Sequence, residues 1–126
     1  MRGMRGKERQ TFSRDERLKR RLDFRRCIKE GVRAVGKHLV VYVLRNGLGA
    51  TRLGAGTTRR LGNAVRRNRA RRLVREAFRL TKQELPQGAD IVVLPKIPWN
   101  EPTLEDLKSD LVSLAHRAAE DVDAGT

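Results

Sequence analysis

A chain of 126 residues has room for one domain with a single modest core, and a formal net charge of +14 with a pI of about 11.4 points to a polyanion as partner, nucleic acid before a membrane surface or an acidic protein. The lone Cys27 excludes an internal disulfide and reads as a small buried side chain on a helix. No apolar run approaches the ~20 residues of a membrane span and residues 1–10 lack an apolar h-region, so the expectation is a cytoplasmic, non-exported protein. Charge is unevenly placed: residues 1–100 hold 27 Lys/Arg against 8 Asp/Glu, whereas residues 101–126 hold 2 against 7. The last quarter is therefore expected to face away from the anion.

In chain order, residues 1–11 are basic, Gly-containing and without periodicity, and predict a flexible arm ahead of one domain over residues 12–119. Ser13-Arg14-Asp15-Glu16 has the spacing of a capping box, with a second possible helix start near Arg20. The firmer part of this helix carries Phe24, Cys27 and Ile28 on one face and ends at Gly31. Residues 38–44 form the first clear strand, β-branched and aromatic, with Asn46-Gly47 as a turn. A second strand is expected from about Thr51, where Gly54 and Gly56 would let another backbone or a ligand come close. Beyond the central helix, Pro86 and Gly88 break the chain, Ile91 to Leu94 predict a buried strand, and Pro95 and Pro98 stop it. A last helix opens at Thr103 with Asp106 in the capping-box position, carries a Leu104, Leu107, Leu111, Leu114, Ala115, Ala118 stripe, and gives way to a polar, fraying tail over residues 120–126. The order describes an α+β fold, three helices packed with one small mixed sheet in a two-layer sandwich.

The centre of the chain is Arg59-Arg60-Leu61-Gly62-Asn63-Ala64-Val65-Arg66-Arg67-Asn68-Arg69-Ala70-Arg71-Arg72-Leu73-Val74-Arg75-Glu76-Ala77-Phe78, with eight arginines between residues 59 and 75. No Asp or Glu occurs from Gly31 to Arg75. On a helix Ala70, Leu73, Val74, Ala77 and Phe78 make one buried stripe, and Asn68, Arg71, Arg72, Arg75 and Arg79 make a guanidinium ladder on the other side. Basic helical faces are often only solvated. Here, however, Arg71/Arg75 and Arg75/Arg79 are like-charge i,i+4 pairs, which a surface built only for solubility would avoid by mixing signs. A phosphate-binding face accounts for them.

Protein-borne catalysis has little to stand on. A Mg²⁺ nuclease needs several converging carboxylates, His38 and His116 have no partner motif, and no spaced Cys/His cluster exists. Nucleic-acid binding is the simplest reading, with any chemistry belonging to the partner.

The Gly62-Asn63-Ala64-Val65-x-Arg67-Asn68-Arg69 core, its preceding basic pair and the following Arg71-Arg72 resemble the signature of the bacterial ribonuclease P protein component. Phe12-Ser13, Arg17-Leu18, Asp23-Phe24, Gly31 and Val40-x-Tyr42 extend the resemblance over about residues 12–117. It implies the auxiliary subunit, 1:1 with the RNA, of a ribozyme that removes the 5′ leader of precursor tRNA, with the catalytic Mg²⁺ held by the RNA. It also implies a fold similar to a ribosomal protein domain, with the motif helix in a left-handed βαβ crossover where general rules favour the right hand in about 98% of cases. Carried over by position, Arg67, Asn68, Arg69, Arg71, Arg72 and Arg75 correspond to the ribozyme-facing set, and Arg59 and Arg60 would meet RNA at the helix start. Asn63 suits either an N-cap or an RNA contact. Phe24, Ile28, Val40 and Tyr42 correspond to the leader cleft, with core packing as the alternative; Ile28 departs from the aromatic many relatives carry, which leaves Tyr42 the better stacking candidate. A ribosomal or other structural RNA-binding protein, or a DNA-binding architectural protein, would share the charge but not the motif spacing.

Overall fold

The computed structural model describes residues 16–124. Its elements are α1 (Arg21–Glu30), β1 (Val32–Val35), β2 (Leu39–Arg45), β3 (Arg52–Ala55), a 3₁₀ turn (Arg59–Leu61), α2 (Ala64–Thr81), a second 3₁₀ turn (Lys82–Glu84), β4 (Ala89–Pro95) and α3 (Leu104–Ala124). The sheet is mixed, in the order β1-β2-β4-β3. β1 and β4 flank β2 antiparallel, whereas β3 runs parallel to β4. The parallel pair forces a crossover, and α2 supplies it.

Strand alternation assigns the two faces of the sheet. Leu39, Val41 and Val43 on β2 and Ile91 and Val93 on β4 are fully buried in one core with Val74 and Phe78 of α2 and Leu107, Leu111 and Leu114 of α3. The intervening residues Val40, Tyr42, Val92 and Leu94 point to the opposite face, where α1 lies, with Cys27 and Val92 buried between helix and sheet. α1 starts after Arg20, which caps it with extended backbone and no side-chain bond. The Ser13 capping box lies outside the described residues, as does the arm over residues 1–11. At the other end, the Gly31 N–H bonds Cys27 O at 2.8 Å, and a Cβ there would sit 2.8 Å from Val43 O, so the chain can turn into the sheet only without a side chain.

Two expectations need correction. A strand precedes the one anticipated at residues 38–44: β1 pairs Val32 to Val35 with Val43 to Val40. It carries one buried residue, Ala34, and a single neighbour, so its sequence lacks a clear alternation. Its turn into β2 is held by α3, because Asp110 accepts from the His38 and Leu39 N–H groups at 2.9 and 3.0 Å, and a Cβ at Gly36 would fall 2.6 Å from that carboxylate. Second, residues 120–124 do not fray but continue α3, whose penultimate residue Asp123 takes two hydrogen bonds from the Arg45 guanidinium at 3.0 and 2.8 Å. Trp99 in the β4–α3 connection, which stands in no periodic stripe, is also a core residue. The capping box at the start of α3 forms as its spacing predicts: Asp106 Oδ2 accepts from Thr103 N–H at 3.0 Å and Thr103 Oγ1 from Asp106 N–H at 3.1 Å.

Candidate nucleic-acid interface

α2 begins where its sequence says it should. Gly62 at φ 139° provides a conformation other residues avoid, and Asn63 Oδ1 then accepts the Arg66 N–H at 2.9 Å. Asn63 is thus a helix N-cap, and its carboxamide oxygen is occupied. Ala70, Val74, Ala77 and Phe78 are buried and Leu73 half-buried, so the apolar stripe is seated and fixes the rotation of the helix. That rotation leaves Asn68, Arg71, Arg72, Arg75 and Arg79 along one groove of about 320 Å³, together with Glu76 and Arg17. At 100° per residue Arg67 and Arg69 flank this groove, Arg67 half-buried and Arg69 exposed. Arg59 and Arg60 are exposed on the 3₁₀ turn ahead of the helix.

The groove is partly ordered by the protein itself. Arg71 donates to Thr57 Oγ1 at 2.8 Å and also to Asn68 Oδ1, so its guanidinium is held between the β3–α2 linker and the head of the ladder. Fixing a long cation in advance lowers the side-chain entropy lost when it meets a phosphate. Arg79 differs from the rest: it donates to both oxygens of Glu76, at 3.0 and 2.7 Å, so its charge is neutralised within the helix, and Glu76 is held below the usual carboxylate range chiefly by that bond. Arg66, at the helix start, donates to Glu101 at 3.1 Å and to Trp99 O at 2.9 Å and serves the β4–α3 connection. Arg75 has its charged form disfavoured, first by desolvation and then by Arg17 and Arg71. The neighbourhood is electropositive even toward its own members.

On the opposite face of the sheet, Phe24, Ile28, Val40 and Tyr42 are all half-buried. Val40 and Tyr42 stand on β2 beside their partners Leu94 and Val92 of β4, while Phe24 lies over β3. Gly54 on β3 and Gly56 just after it explain how: a Cβ on Gly54 would sit 2.9 Å from the Phe24 ring, and one on Gly56 2.8 Å from its tip. The space left by those glycines is filled by this side chain, by Leu18 and by Leu94 rather than by a foreign backbone. Beneath α1, the Cys27 thiol lies 3.4 Å from Asp90 O and 3.5 Å from Tyr42 O, and burial pushes its pKa up to about 12. Arg52 secures the same corner, donating to both oxygens of the buried Asp90 at 2.8 and 2.7 Å and lying 3.8 Å from Asp23 of α1. The structure therefore places two surfaces on this protein, a cationic groove on α2 and a half-buried apolar face between α1 and the sheet. Thr57 and Arg52 take part in them without any local sequence signal of that role, and Arg17 with none beyond its place in the Arg17-Leu18 match.

The family model described as Ribonuclease P matches residues 12–119, nearly the whole described chain. The chain belongs to the ribonuclease P protein family. It is 38% identical over 101 residues to the ribonuclease P protein component of Pelotomaculum thermopropionicum, covering 80% of this chain and 90% of that one. Among solved structures, the RNase P protein from Thermotoga maritima is similar with a TM-score of 0.72 and 37% identity over 81% of this chain and 96% of that one. The Staphylococcus aureus RNase P protein gives 0.71 and 32% over 82% and 94%. The protein is accordingly a subunit of ribonuclease P, the ribonucleoprotein nuclease of tRNA processing, and its partner is RNA. Among the described residues, no helix is long and apolar enough to cross a membrane.

Proposed function

We propose that the protein binds the RNA subunit of ribonuclease P through Asn68, Arg71, Arg72 and Arg75, flanked by Arg59, Arg60, Arg67 and Arg69, and receives the 5′ leader of precursor tRNA on the face formed by Phe24, Ile28, Val40 and Tyr42. The observation that carries this reading is the Thr57–Arg71–Asn68 contact, which pre-orders a guanidinium in a groove of like charges. Each such guanidinium can give a phosphate two parallel hydrogen bonds. Opposite it, half-buried rings and aliphatic side chains suit unstacked bases of a single strand.

The chemistry belongs to the RNA. Mg²⁺ takes oxygen ligands and keeps most of its water, and among the described residues no three of His, Cys, Asp or Glu converge to hold one. The donor set of the groove is cationic and does not fit the ion. RNA phosphates do, and the protein's role is to position the leader and neutralise backbone charge. The working particle is one protein with one RNA, in the cytoplasm, with residues 12–119 as the RNA-binding unit. Reconstitution with a bacterial ribonuclease P RNA at low Mg²⁺ tests this reading: the protein should restore leader removal and, alone with Mg²⁺, cleave nothing. Specific 5′ maturation by the RNA-free protein, or RNA binding with no effect on cleavage, would overturn it.

A further inference from the structure

The outer side of α1 carries a row of cations that belongs to neither surface described above. Arg21, Arg25 and Lys29 are exposed and stand at i, i+4 and i+8, so each meets a like charge one turn away. Among the described residues, no carboxylate lies within ion-pair reach of any of the three. The two acids of this helix are engaged elsewhere, Glu30 at 3.6 Å from Arg26 and Asp23 at 3.8 Å from Arg52. The repulsion along the row is therefore left uncompensated by the protein.

The rotation of α1 decides what the row borders. Cys27 is fully buried against the sheet, Asp23 is held towards Arg52, and the chain turns into β1 at Gly31, so the helix is fixed about its own axis. At 100° per residue, Phe24 and Ile28 follow Cys27 around that axis, and Arg21, Arg25 and Lys29 come next, at about 20°, 60° and 100° beyond Ile28. Arg26, with its Glu30 partner, falls about 160° from Ile28, on the back of the helix. The three cations thus form the rim of the half-buried face that carries Phe24 and Ile28. Successive members are about 6 Å apart along the axis, a step comparable to one nucleotide of an extended strand. A strand whose bases lie on an apolar floor needs its phosphates neutralised alongside, and aromatic platforms flanked by a cationic wall hold single strands in this way without reading base edges. Because α1 and α2 lie in opposite layers about the sheet, the row is separate from the groove of Asn68, Arg71 and Arg72.

We propose that Arg21, Arg25 and Lys29 are a phosphate track for the 5′ leader, each taking one of three successive phosphodiesters while the bases rest on the Phe24 and Tyr42 face, so that the leader is gripped by charge whatever its base sequence. This rests on the leader-face reading above. The test measures holoenzyme affinity for precursor and for mature tRNA as a function of salt, and protein affinity for ribonuclease P RNA, with circular dichroism as the folding check. Replacing all three residues with Gln, a comparable helix former, should flatten the precursor slope by about two units, so that between 50 and 200 mM salt the wild-type holoenzyme loses roughly 20-fold more precursor affinity than the variant. Binding of mature tRNA and of ribonuclease P RNA should not change, and a precursor whose leader is cut to one nucleotide should no longer distinguish variant from wild type. Arg25→Gln alone should give about a third of the flattening, which keeps the test open if the triple variant does not fold, and Arg25→Lys, which retains the charge, should restore the slope. Arg26→Gln, on the back of the helix, should be silent. If Tyr42→Ala lowers the precursor preference while the triple variant keeps the wild-type slope, the track is wrong and the leader face stands. Equal losses for mature tRNA or for ribonuclease P RNA would put the row against a different RNA and also overturn the track. If neither Tyr42→Ala nor the triple variant changes the precursor preference, the leader-face reading fails, and the track falls with it.

Discussion

Replacing Arg71, Arg72 and Arg75 together with Ala separates an RNA interface from a solvated face. If each guanidinium meets one phosphate, three counterion-releasing contacts are lost, and the slope of log affinity against log salt should flatten by about two to three units. Between 50 and 200 mM salt, the wild-type protein should then lose roughly 20- to 40-fold more affinity for ribonuclease P RNA than the variant does. Folding should survive. The apolar stripe from Ala70 to Phe78 is untouched, Ala is the better helix former, and removal of the Arg71/Arg75 repulsion offsets part of the Arg71 bond to Thr57, which at this half-exposed position contributes on the order of 1 kcal/mol or less. Filter binding or fluorescence titration over that salt range, with a thermal melt as control, gives both quantities. A variant that keeps its melting temperature, its affinity and its salt slope would refute the assignment. So would abolition of RNA binding by Lys108→Ala and Arg117→Ala on α3, since that would place the interface on the acidic side.

Tyr42→Ala should weaken holoenzyme binding of precursor tRNA while leaving mature tRNA nearly unchanged, whereas equal losses would assign the ring to packing. Gly54→Ala drives a Cβ to 2.9 Å from the Phe24 ring and should cost about 1–3 kcal/mol in a denaturant melt, with leader affinity falling as the ring is displaced; an unchanged melt and unchanged precursor binding would show that the ring moves aside freely. Because burial pushes Cys27 up to about 12, the native thiol should react with an alkylating reagent at pH 8 only as fast as the protein opens. The same shift makes stability fall as pH rises above the unfolded thiol value of about 8.5, where only the unfolded chain releases the proton, and this component should vanish from melts of Cys27→Ala.

How far these features were legible in the sequence depends on whether a local period or a tertiary neighbour decides them. The stripe from Ala70 to Phe78 and its opposing ladder are set by 3.6 residues per turn and could be read directly, as could the Thr103/Asp106 box, whose partners are three residues apart. The Arg79–Glu76 pair was within reach of the same arithmetic, and it removes Arg79 from the phosphate-facing set. Other features have no local signature. β1 has only Ala34 fully buried, with Val32 half-buried against the core beside it, and is a strand because Val40 to Val43 are available to pair with it. Gly54 and Gly56 read as open space until α1 folds back and sets Phe24 on them. The end of α3 looks like a tail until Arg45, 78 positions earlier, reaches Asp123.

The acidic residues, few as they are, explain why the cationic groove remains cationic. Asp90 and Asp23 hold Arg52 and so secure α1; Asp123 holds Arg45; Glu101 holds Arg66; Glu16 holds Lys82 at 2.8 Å; Glu76 holds Arg79. Every one of these pairs fastens an element or a connection. Among the described residues, by contrast, no carboxylate pairs with Arg59, Arg60, Arg67, Arg69, Arg71, Arg72 or Arg75, and the hydrogen bonds that order Arg71 come from a hydroxyl and an amide. Neutral acceptors position a guanidinium without cancelling its charge, which is what a surface needs if it is to remain attractive to phosphate until RNA arrives. The α3 acids stand on the helix beside α2, over β1 and β2, while α2 packs over β3, so the molecule is polarised from one edge of the sheet to the other. In the electrostatic field of an RNA that polarity orients the protein with α2 leading, before any specific contact is made.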